Sequence, residues 1–246
     1  MSAKPRLDQL LVDRGLAGDR SRAQALVMAG KVFSGERRLD KPGAPIAADS
    51  PLEVRGKEHP WVSRGGVKLA HGLDHFAIDP QGMIALDIGA STGGFTDVLL
   101  ERGAARVYAV DVGRAQLAWK LRTDPRVVAL EGVNARTLGS DRIPQPVGLI
   151  VCDASFIGLA TVLPAALALA APEAYLVALI KPQFEAARED VGKGGVVRDA
   201  TVHQAVCDRV RDWLDGLPGW SVLGVVESPI TGHEGNVEYL IAARHG

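Results

Sequence analysis

Met83-Ile84-Ala85-Leu86-Asp87-Ile88 is a short apolar run that passes without interruption into Gly89-Ala90-Ser91-Thr92-Gly93-Gly94-Phe95. A run of that length bounded by glycine reads as a buried strand, and the glycines let the backbone of the next turn approach a ligand before a helix begins near Phe95. In an open α/β sheet such a turn lies at the carboxyl edge of the strands, where ligands bind. The spacing also excludes something. Dinucleotide enzymes place Gly-x-Gly-x-x-Gly here, whereas this chain has Gly89, Gly93 and Gly94 with an acid, Asp87, at the strand end, which is wrong for a pyrophosphate.

The rest of the chain extends the same alternation. Strands are expected near 83–88, 105–110, 126–131, 147–152, 174–180, 220–227 and 236–243, with helices between most of them and one before the first, carrying Val67, Ala70, Leu73 and Phe76 or Ala77. That order predicts an α/β domain with a doubly wound, mainly parallel, Rossmann-like seven-stranded sheet. A length of 246 residues, 47% hydrophobic and 23% charged, suffices for such a domain plus a small appendage and disfavours disorder. The most apolar stretch, from Leu163 to Ile180, is broken by Pro164, Pro172 and Glu173, so no membrane segment is read. Lys4, Arg6 and Asp8 with no apolar run behind them do not make a secretory signal. Cys152 and Cys207, far apart, suggest neither a disulfide framework nor a metal site, and a cytoplasmic setting is expected.

The appendage is N-terminal. Residues 6–29 read as two short helices closed by Gly15 and Gly30, followed by Lys31-Val32-Phe33-Ser34-Gly35 as strand and turn and by an apolar pattern through Ile46, Leu52 and Val54. His59-Pro60-Trp61-Val62 reads as a short join. The expected division is therefore 1–59 for a small α+β domain, 60–63 for the linker and 64–246 for the α/β domain. Residues 1–68 hold 13 Lys and Arg against 8 Asp and Glu, which leaves 15 against 21 beyond them, so a basic lobe is attached to an acidic one. Such asymmetry suggests that the small lobe meets a polyanion, with a merely solvated face as the alternative on charge alone.

Arg6-Leu7-Asp8, Gly15-Leu16, Ser21-Arg22, Ala25, Gly30, Val32, Gly35, Lys41-Pro42 and Asp49 fall as in the S4 RNA-binding domain, which this segment closely resembles. The resemblance implies that Arg6, Arg20, Arg22 and Lys31 meet structured RNA. Such cations bind phosphate and so supply affinity and positioning, not sequence reading. The bland alternative is a module that only docks on its neighbour.

The turn from Asp87 to Phe95 resembles the first motif of Rossmann-type methyltransferases, which implies S-adenosyl-L-methionine as cofactor, cradled by Asp87, Gly89, Ala90, Ser91, Thr92, Gly93, Gly94 and Phe95. Asp111, ending Tyr108-Ala109-Val110-Asp111, presents a carboxylate able to accept hydrogen bonds from both hydroxyls of a ribose, with Val112 beside it. By the same resemblance Asn134, after Glu131-Gly132-Val133, would sit near the adenine, although the family more often has Asp there.

Lys68, Asp153, Lys181 and Glu238 stand where the expected sheet would present its ligand edge. Each alone is more often a solvated charge. Together they resemble the tetrad of the FtsJ-like ribose 2′-O-methyltransferases, and the complete chain resembles the TlyA (hemolysin A-like) family. This implies methylation of ribose 2′-hydroxyls in ribosomal RNA, with ribosomal subunits as partners. A ribose hydroxyl holds its proton tightly, so the enzyme must work on the acceptor: a desolvated Lys181 near Lys68 would take the proton or stabilise the alkoxide, and Asp153, also counted to the cofactor site, and Glu238 would hold the two ammonium groups. Gln183-Phe184-Glu185 through Gly195 reads as a mobile loop, with Arg64, Arg188, Lys193 and Arg198 as phosphate contacts. Asp153-Ala154-Ser155-Phe156 is not the Asn-Pro-Pro-Tyr type of base-amine methyltransferases. The rival readings are an inactive RNA-binding assembly factor, a small-molecule O-methyltransferase that leaves the S4 module unexplained, and a cytolysin, which no amphipathic basic segment supports.

Overall fold

The computed structural model of the chain describes residues 4–55 and 59–246, without the side chain of His233. Residues 1–3 and 56–58 of the expected first domain lie outside the described residues. The chain forms two compact units, Met1–Pro60 and Trp61–Gly246.

The first unit is built on α1 (Leu7–Asp13) and α2 (Arg20–Met28), then β1 (Val32–Ser34), β2 (Arg37–Arg38) and β3 (Glu53–Val54) in the antiparallel order β2-β1-β3. Leu7, Leu10 and Leu11 bury one stripe of α1, and Ala23, Leu26 and Val27 one stripe of α2. Asp19 caps α2 by accepting from the Arg22 amide at 2.8 Å. Gly15 and Gly30 follow the two helices with φ of +67° and +68°, a conformation that costs glycine nothing.

The second unit runs α3 (Gly65–His75), β4 (Ile84–Ile88), α4 (Gly94–Glu101), β5 (Arg106–Asp111), α5 (Trp119–Arg122), β6 (Val127–Glu131), β7 (Val147–Cys152), α6 (Leu159–Val162), α7 (Pro164–Leu167), β8 (Ala170–Ile180), α8 (Pro182–Glu185), α9 (Ala200–Asp215), β9 (Trp220–Glu227) and β10 (Tyr239–His245). The sheet order is β6-β5-β4-β7-β8-β10-β9, parallel except for β10, which runs antiparallel to both of its neighbours. This is the expected α/β architecture, and its order reverses between β4 and β7, the switch point at which open sheets bind ligands.

Side chains alternate along each strand and so feed two cores. Leu86, Ile88, Ile150, Cys152, Leu176, Ala178 and Ile180 face α6, α7 and α9, whereas Ala85, Ala109, Leu149, Val151, Val177, Leu179 and Leu240 face α3 and α4. Both faces are covered, which is why the central strands are apolar throughout instead of alternating with polar residues.

Three segments depart from expectation, the first being the last strand, which spans Tyr239–His245 and not 236–243, so that Glu238 stands just before it. The fifth strand begins at Ala170, not near 174: Val147 already pairs with Ala170, and Pro172 with a left-handed Glu173 (φ +63°) breaks the apolar pattern across the irregularity that follows. The segment after Lys181, read as loop, opens instead on the single turn of α8: Pro182 occupies the first helical position, where its fixed φ suits a helix and its missing N–H is not needed.

Candidate active site

Counting along the strands decides which face each ionisable side chain takes. Asp87 lies two residues past Ala85, Asp111 past Ala109, Asp153 past Val151 and Lys181 past Leu179, while Glu238 lies two before Leu240, and all five reference residues belong to the core on the α3–α4 side. All five charged groups are thereby sent to one face, and α3 adds Lys68. The register completes the placement. Tyr239 pairs with Ile180, which sets Glu238, just before β10, opposite Lys181, just after β8. The Asp153 amide donates to Ile88 O at 2.9 Å, fixing Asp153 beside the glycine-rich turn.

Two ion pairs result. Lys68 pairs with Glu238 across a sequence separation of 170, and both are buried. Lys181 Nζ lies 2.6 Å from Asp153 Oδ1 and donates to Asp153 O at 3.2 Å and to Ser155 Oγ at 3.0 Å. The carboxylate contact is an ion pair without hydrogen-bond direction, so Asp153 Oδ1 is buried with no directed donor. Gly72 lets α3 come close enough to bring Lys68 in: a Cβ there would sit 3.2 Å from both Leu240 and Val177.

The glycine-rich turn is held from below and from one side. Gly89 and Ala90 amides both donate to Val110 O, at 2.9 and 3.1 Å, and the Ser91 amide donates to Asp111 Oδ2 at 2.8 Å. Gly89 (φ +79°) lies so close to the following strand end that a Cβ would fall 2.9 Å from the Ala154 amide nitrogen, and one on Gly93 (φ +96°) would collide with Leu121. Thr92 is exposed beside Ser91, while Gly93, Gly94 and Phe95 are buried as α4 begins. Asp87 is fully buried beneath the turn. Thr96 Oγ1 donates to its Oδ2 at 2.6 Å, but its Oδ1 has no donor. Burial, with Asp153 and Asp111 adding repulsion, pushes the Asp87 carboxyl up to about 7 against the pull of Thr96.

Asp111 accepts one backbone bond on each oxygen, from Ser91 and from Gly113 at 2.7 Å, which leaves both oxygens able to accept another. Val112 next to it is 71% exposed. Asn134 caps the turn Ala135–Thr137, its Oδ1 accepting from the Arg136 amide at 3.1 Å. The spare capacity of that side chain is therefore chiefly its NH₂ donor.

Sequence reasoning missed two neighbours. Ser155 touches Lys181 directly, and Phe156 is 89% exposed in a left-handed conformation (φ +64°), its ring centroid 4.9 Å from that of Phe184. A bulky residue at positive φ is an outlier of the kind that collects at functional sites, but sequence carries no signal for it. Arg64 is exposed at the start of α3, and Arg188, Lys193 and Arg198 are exposed beyond α8.

In the first unit, Asp8 is fully buried and gathers Arg6 (Nη2 at 2.9 Å), Arg20 (Nε at 3.1 Å) and Gln24 (Nε2 at 2.9 Å). The Arg6 guanidinium above all holds the Asp8 carboxyl well below the ordinary range. Both arginines are pinned at one end and half exposed at the other. Arg22 is exposed on α2, and Lys31 is half-buried ahead of β1.

Residues 61–245 match the FtsJ-like methyltransferase family, and residues 5–49 match the S4 domain. The chain is 48% identical over 249 residues to the "16S/23S rRNA (cytidine-2'-O)-methyltransferase TlyA" of Mycobacterium tuberculosis, covering 99% of this chain and 91% of that protein. It is 40% identical over 239 residues to "Hemolysin A" of Brachyspira hyodysenteriae, covering 96% and 98%. A solved structure of a Streptococcus thermophilus protein described as a hemolysin matches with a TM-score of 0.76 and 42% identity, over all of this chain and 90% of that one. With the α/β sheet, the two ion pairs and matches that span both units, the chain belongs to the FtsJ-like methyltransferases, in the TlyA, hemolysin A-like branch that joins an S4 domain to that fold.

Proposed function

We propose that this chain is an S-adenosyl-L-methionine-dependent RNA methyltransferase that modifies ribose 2′-hydroxyls of ribosomal RNA. The observation that carries it is the meeting of Lys181–Asp153 and Lys68–Glu238 on one face of the sheet, beside a glycine-rich turn flanked by Asp87 and Asp111. The residues fit the cofactor. A buried carboxylate oxygen on Asp87 has no donor of its own, and a side chain would meet the Asp153–Ala154 backbone at 89 and the Leu117 and Leu121 side chains at 93. Asp87, and Asp153 through the oxygen that does not face Lys181, answer the cationic end of such a molecule, Asp111 its ribose diol, and Val112 with the Asn134 amide its adenine.

When bound, the cofactor supplies a methyl group already activated by a positive sulfur. The protein's task is therefore the acceptor. Lys181 takes the hydroxyl proton, and burial excludes competing water from its nitrogen. Asp153 anchors that nitrogen, and Glu238 anchors Lys68, which stabilises the negative charge developing on the acceptor oxygen. The exposed Phe156 ring offers a face for the acceptor base to stack on. Arg6, Arg20, Arg22 and Lys31 in the S4 unit, and Arg64 at the start of α3, take RNA phosphates.

Lys181→Ala is expected to lower methyl transfer to ribosomal subunits by about 10²–10⁴-fold while cofactor affinity stays within about threefold. Transfer of labelled methyl, with mapping of the modified riboses, checks both parts. Near-wild-type turnover by this variant, or methyl groups found on bases, would overturn the reading.

A further inference from the structure

We propose that Ser155 is a positioning residue of this site, whose hydroxyl holds the Lys181 amine and conducts to solvent the proton that Lys181 takes from the acceptor. The inference rests on the reading of Lys181 as proton acceptor. Among the described residues, Lys181 Nζ has three oxygen neighbours: Asp153 Oδ1 at 2.6 Å, Asp153 O at 3.2 Å and Ser155 Oγ at 3.0 Å. They differ in what they can do with a proton. The carbonyl has none to give, and the buried carboxylate oxygen is the fixed countercharge of the ammonium that forms when the amine takes its proton. A hydroxyl alone of the three both accepts and donates.

Exposure points the same way. Lys181 is only 7% exposed, so an amine that gains a proton in each turnover has little direct contact with water, whereas Ser155 is an exposed residue. The backbone is shaped to deliver it. The chain reverses at left-handed Phe156, so that Ser155 turns its oxygen onto Lys181 while the Phe156 ring goes outward beside Phe184. The Phe184 amide in turn donates to Lys181 O at 2.8 Å, bracing the lysine backbone from the other side.

The proton balance closes. The acceptor O–H bond breaks and its proton becomes the third hydrogen on Nζ. One Nζ hydrogen then moves to Ser155 Oγ as the serine's own hydroxyl proton leaves to water. Lysine and serine both return to their starting states, ready for the next acceptor.

The test compares Ser155→Ala and Ser155→Thr in the full chain with ribosomal subunits. Ala should lower kcat about tenfold, a smaller loss than removal of the base itself, with KM for RNA and cofactor Kd unchanged. Thr, which keeps the hydroxyl, should recover most of the loss, and the solvent deuterium isotope effect on kcat should be larger in the Ala variant than in the wild type. Wild-type kcat in Ser155→Ala, a Thr variant no better than Ala, or a loss confined to KM for RNA would each overturn the inference. Those results leave the parent reading standing if Lys181→Ala is inactive. Full turnover by Lys181→Ala overturns the parent reading instead.

Discussion

A carboxyl group that is harder to ionise in the folded chain than in the unfolded one weakens the fold as pH rises. Asp87 is that group: burial lifts it to about 7 from an ordinary value of 3.8. Below about pH 4 both states hold the proton and there is no penalty. Between about 4 and 7 the unfolded chain releases it while the folded chain keeps it, so stability falls across that window and levels off above it. Asp87→Asn keeps an acceptor for Thr96 and removes the titration. It is expected to be more stable than the wild type at pH 8 and to lose the difference toward pH 4, as read by urea unfolding across that range, and to bind cofactor more weakly. An unchanged pH dependence in the variant would mean that Asp87 stays ionised. At this scale much of the site was legible. Asp87, Asp111, Asp153, Lys181 and Glu238 stand at strand ends whose apolar runs announce them, and parity assigns them one face. Ser155 and Phe156 were not legible, because a hydroxyl in a turn and a left-handed phenylalanine leave no pattern in composition or period.

Elements carry these side chains, and small residues govern how near the elements come. Gly72 lies where α3 crosses β8 and β10, with Leu240 and Val177 each 3.2 Å from the place a Cβ would take. Gly72→Leu is expected to overpack this crossing at a cost of about 1–3 kcal/mol, lowering the melting temperature by roughly 2–10 °C. Because α3 also carries Lys68, methyl transfer should fall further than cofactor affinity. A melting curve like that of the wild type would place slack where none is visible. The positions of all seven strands were readable from apolar runs and glycine punctuation. The start of β8 was hidden by Pro172 and Glu173, and the turn of α8 by its length, since one turn shows no helical period.

Over the whole molecule the charge division follows the unit division, with the basic excess in the N-terminal part. The second unit has its own two cores, formed without residues of the first. Residues 61–246 alone should therefore fold and bind cofactor yet lose RNA methylation, and the point of truncation matters. Trp61 Nε1 donates to Glu101 at 2.5 Å and the Val62 amide to Asp97 at 2.8 Å, both on α4, so a chain starting at residue 65 should melt lower than one starting at 61. Equal melting temperatures would discount that anchorage. Among the described residues no helix is long and apolar enough to cross a membrane.

The reversed strand β10 has a consequence for the order in which the molecule can be made. It lies between β8 and β9, so β9 leaves the ribosome before the neighbour that joins it to the sheet exists. Lys68 is synthesised 170 residues ahead of Glu238, its partner. The glycine-rich turn, Asp153 and Lys181 are thus all synthesised before Glu238, and the second pair waits for β10. The candidate site is therefore completed only once that late strand has joined the sheet.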